Sequence, residues 1–348
     1  MKILHTSDWH LGHTLYNYDR TAEQQSFLRQ LTRIVTEEQP DAMVVSGDIY
    51  HYSSPAAATQ KMYTDAMLNI HQACPEMTIV VTAGNHDSSS KLEIDSNLWQ
   101  HFGLNVVGNI ERTAEEVNLD KHIIEINNEK KTKGYVIAVP HVYPQNFPLL
   151  DTETPRDQRQ ARFFQALLDE VKKRNTAQLP VVLMAHLSIE GSDRSGHDES
   201  IGGIEYVPLS AMGEGYDYLA LGHIHCPQDI KGSHHHARYC GTPLPVSFDE
   251  TYPHSVSIIE LEKGAEPQIS TREIENPIPL VTLPHDPTPF EDALKLLEEY
   301  PEEKPAYLRL NVLTKGYLPP DCNEKASNAA KGKACKYCYI KTCLLYTS

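Results

Sequence analysis

Residues 78–87, TIVVTAGNHD, form an apolar run that reaches Gly84 and then presents Asn85, His86 and Asp87 in succession. β-Branched residues closed by glycine read as a buried strand opening into a tight turn, where polar side chains can be offered at a sheet edge. The construction recurs. Residues 2–7 lead into Asp8-Trp9-His10, 41–46 into Gly47-Asp48-Ile49-Tyr50-His51, 181–185 into His186, and 216–221 into Gly222-His223-Ile224-His225. Helical patterns separate the first three runs: Thr21–Glu38, with Phe27, Leu28, Leu31, Ile34 and Val35 on one face, and 55–73, with Pro55 near its first turn. Strand alternating with helix in this way predicts a layered α/β domain.

The middle of the chain predicts strands at 105–108, 122–126 and 135–139 with antiparallel connections, so the sheets should be mixed. A long helix is expected over 156–174 and closing strands over 255–261 and 268–274. The segment 188–203, rich in Ser, Gly, Asp and Glu, reads as a mobile flap or substrate-side loop. Five prolines in 276–289 predict a linker that interrupts regular structure, dividing a main domain, 1–275, from a small α/β module, 290–343. Residues 344–348 read as a frayed tail, as though the chain stopped inside a domain. Cys335 and Cys338 form C-x-x-C near Cys322 and Cys343, but the irregular spacing and the alternation of Tyr337, Tyr339 and Ile340 favour a strand over a zinc site.

Composition narrows the class. With 348 residues, 40% of them hydrophobic, the chain can bury a substantial core. The start, MKILHTSDWHLG, lacks the apolar segment of a secretory signal, and no apolar run approaches the ~18 residues of a membrane span. Seven cysteines, an odd number crowded toward the end, predict free thiols and a cytoplasmic protein. A formal charge of -16 argues against grip on nucleic acid through a broad basic face, although carboxylates gathered around metals inflate that count. Arg20, Lys61, Lys91 and Arg194 lie too far apart in sequence to define a groove.

In an open α/β sheet, ligands bind at the carboxyl ends of the strands, so the polar groups at these five strand ends should converge. Asp8, His10, Asp48, Asn85, His186, His223 and His225 make seven donors, too many for one zinc and suited to two ions sharing a carboxylate. Mixed oxygen and nitrogen ligation without thiolate suits manganese, iron or zinc. Such a pair activates water and clamps both oxygens of an in-line phosphoryl displacement, so phosphoester hydrolysis is the expected reaction. His86, beside the donor Asn85, is left to stabilise phosphate charge or protonate the leaving oxygen.

In order, DxH, GDxxH, GNHD, a lone His after an apolar strand, and GHxH resemble the calcineurin-type metallophosphoesterases. ILHTSDWHLG and GTPLPVSF resemble, more narrowly, the SbcD-type DNA repair nucleases. The resemblance implies a four-layer αββα sandwich of two mixed sheets flanked by helices, with the small module as a capping domain. It implies that Asp8, His10, Asp48 and His225 hold one ion and Asp48, Asn85, His186 and His223 the other, with Asp48 bridging and manganese favoured over magnesium, iron or zinc. It places His86 as the catalytic histidine and His51 where related phosphatases carry an Asp that orients it. It implies double-strand 3'-5' exonuclease and single-strand or hairpin endonuclease action in DNA repair and recombination. A homodimer, an SbcC-type ATPase partner and nucleoid association follow from it too, with partner-docking helices expected beyond residue 348. The competing readings are a stand-alone phosphodiesterase or phosphatase acting on a small ester, and a non-catalytic scaffold of the same fold.

Overall fold

The computed structural model describes residues 1–112, 116–128, 131–196 and 206–344. Two six-stranded mixed sheets form its centre. In the first, Gln268–Glu273, Ser255–Glu260, Lys2–Thr6, Ala42–Ser46, Thr78–Thr82 and Leu104–Val107 lie side by side; the last four run parallel. In the second the order is Gln228–Asp229, Ala237–Tyr239, Tyr218–Gly222, Val181–His186, Lys131–Ala138 and Ile123–Asn128, antiparallel only at its two edges.

The central strands Ala42–Ser46, Thr78–Thr82, Val181–His186 and Tyr218–Gly222 are almost continuously apolar because both faces are covered. Ala42 and Val44 face the second sheet, packing with Val182, Met184 and Ala220, whereas Met43 and Val45 face the helices Thr21–Glu38 and Ala57–Ala73. Val181, Leu183 and Ala185 turn outward onto Phe163, Phe164, Leu167 and Leu168 of the helix Arg159–Arg174. The result is four layers: helices, sheet, sheet, helix. Each buried Leu, Val or Ile contributes about 1.5–3 kcal/mol relative to exposure, so truncating Leu31, fully buried in the first helix, would cost about 2–5 kcal/mol. That helix stops at Gln39, whose φ of 44° is left-handed, with Pro40 directly after it.

The small module departs from expectation. Within 276–289 the segment Leu280–Thr288 is a strand, parallel to Tyr307–Thr314, which in turn pairs with Lys336–Leu344. It is tolerated there because the strand lies at the edge of this three-stranded sheet, and its register shifts between Leu283 and Thr288, where Pro284 and Pro287 fall. Leu344 belongs to the last strand and not to a tail; 345–348 lie outside the described residues. The helices Phe290–Glu298 and Cys322–Ala330 cover the sheet through Leu294, Leu297, Ala326, Leu308, Leu310 and Val312. Cys322 and Cys335 are buried in that core, and among the described residues no metal-type cluster includes a cysteine.

Of the expected flap, Ser188–Ile189 pairs with Tyr206–Val207, and 197–205 lie outside the described residues. The 88–101 region forms two short helices, Ser89–Leu92 and Ser96–Trp99. No helix is long and apolar enough to cross a membrane among the described residues.

Candidate metal centre

The strands Lys2–Thr6, Ala42–Ser46 and Thr78–Thr82 deliver Asp8, His10, Asp48 and Asn85 from the first sheet, while Val181–His186 and Tyr218–Gly222 deliver His186, His223 and His225 from the second. Asp8, His10, Asp48 and His223 all have positive φ, 52°, 45°, 53° and 96°. Non-glycine residues adopt that region uncommonly, Asp and His among the more frequent, and such positions recur at functional sites. Main-chain bonds hold the turns together: Asp8 N–H donates to Gly47 O and His10 N–H to Asp48 O, each at 3.0 Å.

Two glycines make the convergence sterically feasible. A Cβ on Gly47, itself at φ +87°, would sit 2.2 Å from His186 Nδ1. One on Gly84 would sit 2.0 Å from Asp48 Oδ1 and 2.3 Å from its main-chain nitrogen. Neither buried neighbour can yield, so only glycine fits.

The donor atoms meet. Asn85 Oδ1 lies 3.0 Å from both His186 Nε2 and His223 Nδ1. Asp48 Oδ2 lies 3.4 Å from His186 Nε2 and 3.9 Å from His10 Nε2, which is 3.3 Å from His225 Nε2. Asp8 clusters with His10 and His225 on one side and with Asp48 and His186 on the other. All seven expected metal donors therefore lie close together; His10, Asp48, Asn85, His223 and His225 line a cleft of about 380 Å³ with His51 and His86, while Asp8 and His186 are buried.

The buried carboxylates and imidazoles shift one another's protonation. Burial alone would raise the Asp48 carboxyl, but the charge and hydrogen bond of His186, with His10 and His86 nearby, hold it well below the usual carboxylate range. Burial disfavours charge on His186, yet Asp48 and then Asp8 lift its pKa to about 9. The two carboxylates thus favour positive charge at His186. Asp8 is raised by burial, and His10 is pushed well below its ordinary value by the same cause. Two carboxylates, one amide oxygen and four imidazoles without a thiolate fit hard-to-borderline divalent ions.

His86 and His51 stand beside this set. His86 N–H donates to Asp48 Oδ1 at 2.9 Å, and His86 Nδ1 lies 2.9 Å from His51 O. A carbonyl only accepts, so Nδ1 carries the proton and Nε2 is left for chemistry. The two rings stack at 5.2 Å and 27°, and His51 Nδ1 is 3.4 Å from His10 Nδ1. Burial lowers the His51 pKa to about 4.

Sequence reasoning passed over several supporting residues. Asp87 accepts main-chain N–H groups from Gly84, Ile49 and Tyr50 at 2.9, 3.1 and 2.9 Å, locking two of the turns together. Its place directly after His86 was the available signal. His141 Nδ1 donates to His186 O at 3.1 Å. Glu250 accepts from His225 Nδ1 at 3.0 Å, and no periodicity or spacing announced it. Arg20 is no groove cation: it is 2% exposed, bound to Pro245 O and Glu23.

Comparison with known proteins yields one family match, Calcineurin-like phosphoesterase, over residues 1–227. The chain is 33% identical over 309 residues to the SbcD subunit of the nuclease SbcCD from Rhodobacter capsulatus, covering 86% of this chain and 75% of that protein. To the corresponding Escherichia coli protein it is 29% identical, covering 91% and 79%. The corresponding Bacillus subtilis protein is 31% identical, with 76% and 68% covered.

Proposed function

Because the chain belongs to the calcineurin-like phosphoesterases, and within them to the SbcD nucleases, we propose that it hydrolyses DNA phosphodiester bonds with divalent metal ions, as the nuclease component of an SbcCD-type complex. The observation that carries this reading is the mutual proximity of seven oxygen and nitrogen donors, five of which line one cleft together with His86.

Asp8, His10, Asp48 and His225 would hold one ion, and Asp48, Asn85, His186 and His223 the other, with manganese favoured. When bound, such a pair supplies Lewis acidity at the phosphoryl oxygens and a nucleophile at neutral pH. The chain's own residues do the rest. His51 O accepts from His86 Nδ1–H, which leaves Nε2 to take up a second proton and pass it to the leaving oxygen while Nδ1 keeps its own. Asp87 and the glycines keep the donor-bearing turns from relaxing apart.

Exonuclease action on double-stranded ends and endonuclease action on single strands and hairpins fit an open cleft. An SbcC-type ATPase is the proposed source of DNA grip, which the acidic chain has little basic surface to supply. Ile94 and Leu98, 77% and 58% exposed on one short segment, offer apolar surface for a homodimer. The proposed location is the cytoplasm, on the nucleoid when DNA is engaged, and 1–275 is proposed as the nuclease domain with 280–344, the edge strand included, as its cap.

The test compares manganese-dependent cleavage of hairpin DNA with turnover of a chromogenic phosphodiester. DNA cleavage that collapses in His86→Ala supports the reading; small-ester turnover with intact DNA left uncut would overturn it.

A further inference from the structure

Glu250 is buried, with a side chain fully shielded from solvent, yet it lies outside the seven-donor set. One carboxylate oxygen accepts from His225 Nδ1 at 3.0 Å; the other accepts from Thr242 Oγ1 at 3.1 Å. Thr242 in turn donates its main-chain N–H to His225 O at 3.1 Å, so the imidazole is gripped through both its ring and its backbone. A carboxylate accepts only, which places the ring proton on Nδ1 and the lone pair on Nε2. That nitrogen is the one 3.3 Å from His10 Nε2, among the donors.

The residues just before Glu250 are held from the opposite side. Asp249 Oδ1 accepts from Arg309 Nη1 at 2.7 Å and from Lys341 Nζ at 3.2 Å, both residues of the small module's sheet. Arg309 is itself buried, and its guanidinium lies 5.2 Å from the centre of the Phe248 ring. Phe248 packs with Leu15 and Tyr307. Phe248-Asp249-Glu250 thus spans from the small module to a donor histidine.

We propose that Glu250 is a positioning residue that sets the tautomer and aim of His225, and that the tripeptide ending in it is a strut whose far end is anchored on Arg309. The small module then contributes to the affinity of one metal position without offering a donor to it. The inference rests on the reading of His225 as a metal donor. Histidine donors elsewhere owe 10–100-fold in metal affinity to such carboxylate partners.

The test is calorimetric titration of the full chain with manganese alone. In the parent protein two ions should bind. Glu250→Ala should weaken one of them about 10–100-fold and spare the other. Glu250→Asp, one methylene shorter with the charge kept, should behave alike and guards against misfolding in the alanine variant. Glu250→Gln, whose amide oxygen can still accept from Nδ1, should restore most of the affinity. Arg309→Met should weaken the same single position. Two affinities unchanged in Glu250→Ala and Glu250→Asp would overturn the role of Glu250, and no change in Arg309→Met would overturn the anchorage. A parent protein that binds no manganese would instead overturn the metal reading beneath both.

Discussion

His86 is oriented by the main chain of His51: the imidazole Nδ1 meets the carbonyl oxygen of His51 at 2.9 Å. Related phosphatases are expected to use an Asp side chain at this position, and here the orienting acceptor survives whatever side chain residue 51 carries. The His51 ring contributes through its stack on His86 and its approach to His10.

The two histidines should therefore separate on mutation. His86→Ala should lower kcat on hairpin DNA by about 10²–10⁴-fold, the usual range for a lost general acid. His51→Ala keeps the carbonyl and loses only ring contacts worth about 0.5–1.5 kcal/mol, so a loss of roughly tenfold or less is expected. Equal losses in steady-state kinetics would contradict the division of roles.

Gly84→Ala tests the steric basis of the site. The added methyl would lie 2.0 Å from Asp48 Oδ1, and the strand leading into the turn is buried. Overpacking of this kind costs about 1–3 kcal/mol and must displace Asp48. Thermal unfolding should show a lower Tm, and calorimetry should show weakened manganese binding. A variant with parental affinity would mean that the turn has slack.

Metal removal should be visible in stability. Ions that bind the folded chain alone stabilise it by about 2.7 kcal/mol at a hundredfold excess over Kd. A chelator should lower Tm, manganese should restore it, and Asp48→Asn should remove most of the difference because Asp48 neighbours both His10 and His186. Differential scanning fluorimetry with and without manganese decides it.

Away from the site, two buried histidines predict acid sensitivity. Burial, and then the charge of Arg238, lowers the His5 pKa to about 3, and burial lowers that of His122 to about 4. Both rings stay neutral in the fold, while the unfolded chain protonates them near pH 6.5. The unfolded state binds more protons, so this stability is present above pH 6.5 and is lost as pH falls toward 4 and then 3. Each ring contributes up to roughly 1.4 kcal/mol per pH unit in its window. In chelator-treated protein, urea unfolding of His122→Gln should show a pH slope shallower by about one proton between pH 6.5 and 4. An unchanged slope would show that His122 titrates normally.

The site-bearing strands and the convergence of the seven candidate donors were legible because those strands are covered on both faces, which makes their runs apolar, and because the turns after them break that run with Gly, Asp or His. The edge strand Leu280–Thr288 was not legible, since its prolines carry the same signal as a linker and only an unpaired edge with a register shift accommodates them. Glu250 was hidden for another reason: it is a long-range partner, 25 residues from His225, and a single carboxylate in a loop has no period. The burial of Arg20 was not legible either, since its partner Pro245 lies 225 residues away.

The donors are divided between the two sheets, with both carboxylates and the amide on one and three of the four imidazoles on the other. Neither sheet holds a complete candidate set, so each of the two proposed metal positions would need both sheets docked. A nascent or partly unravelled molecule would therefore lack a complete candidate set.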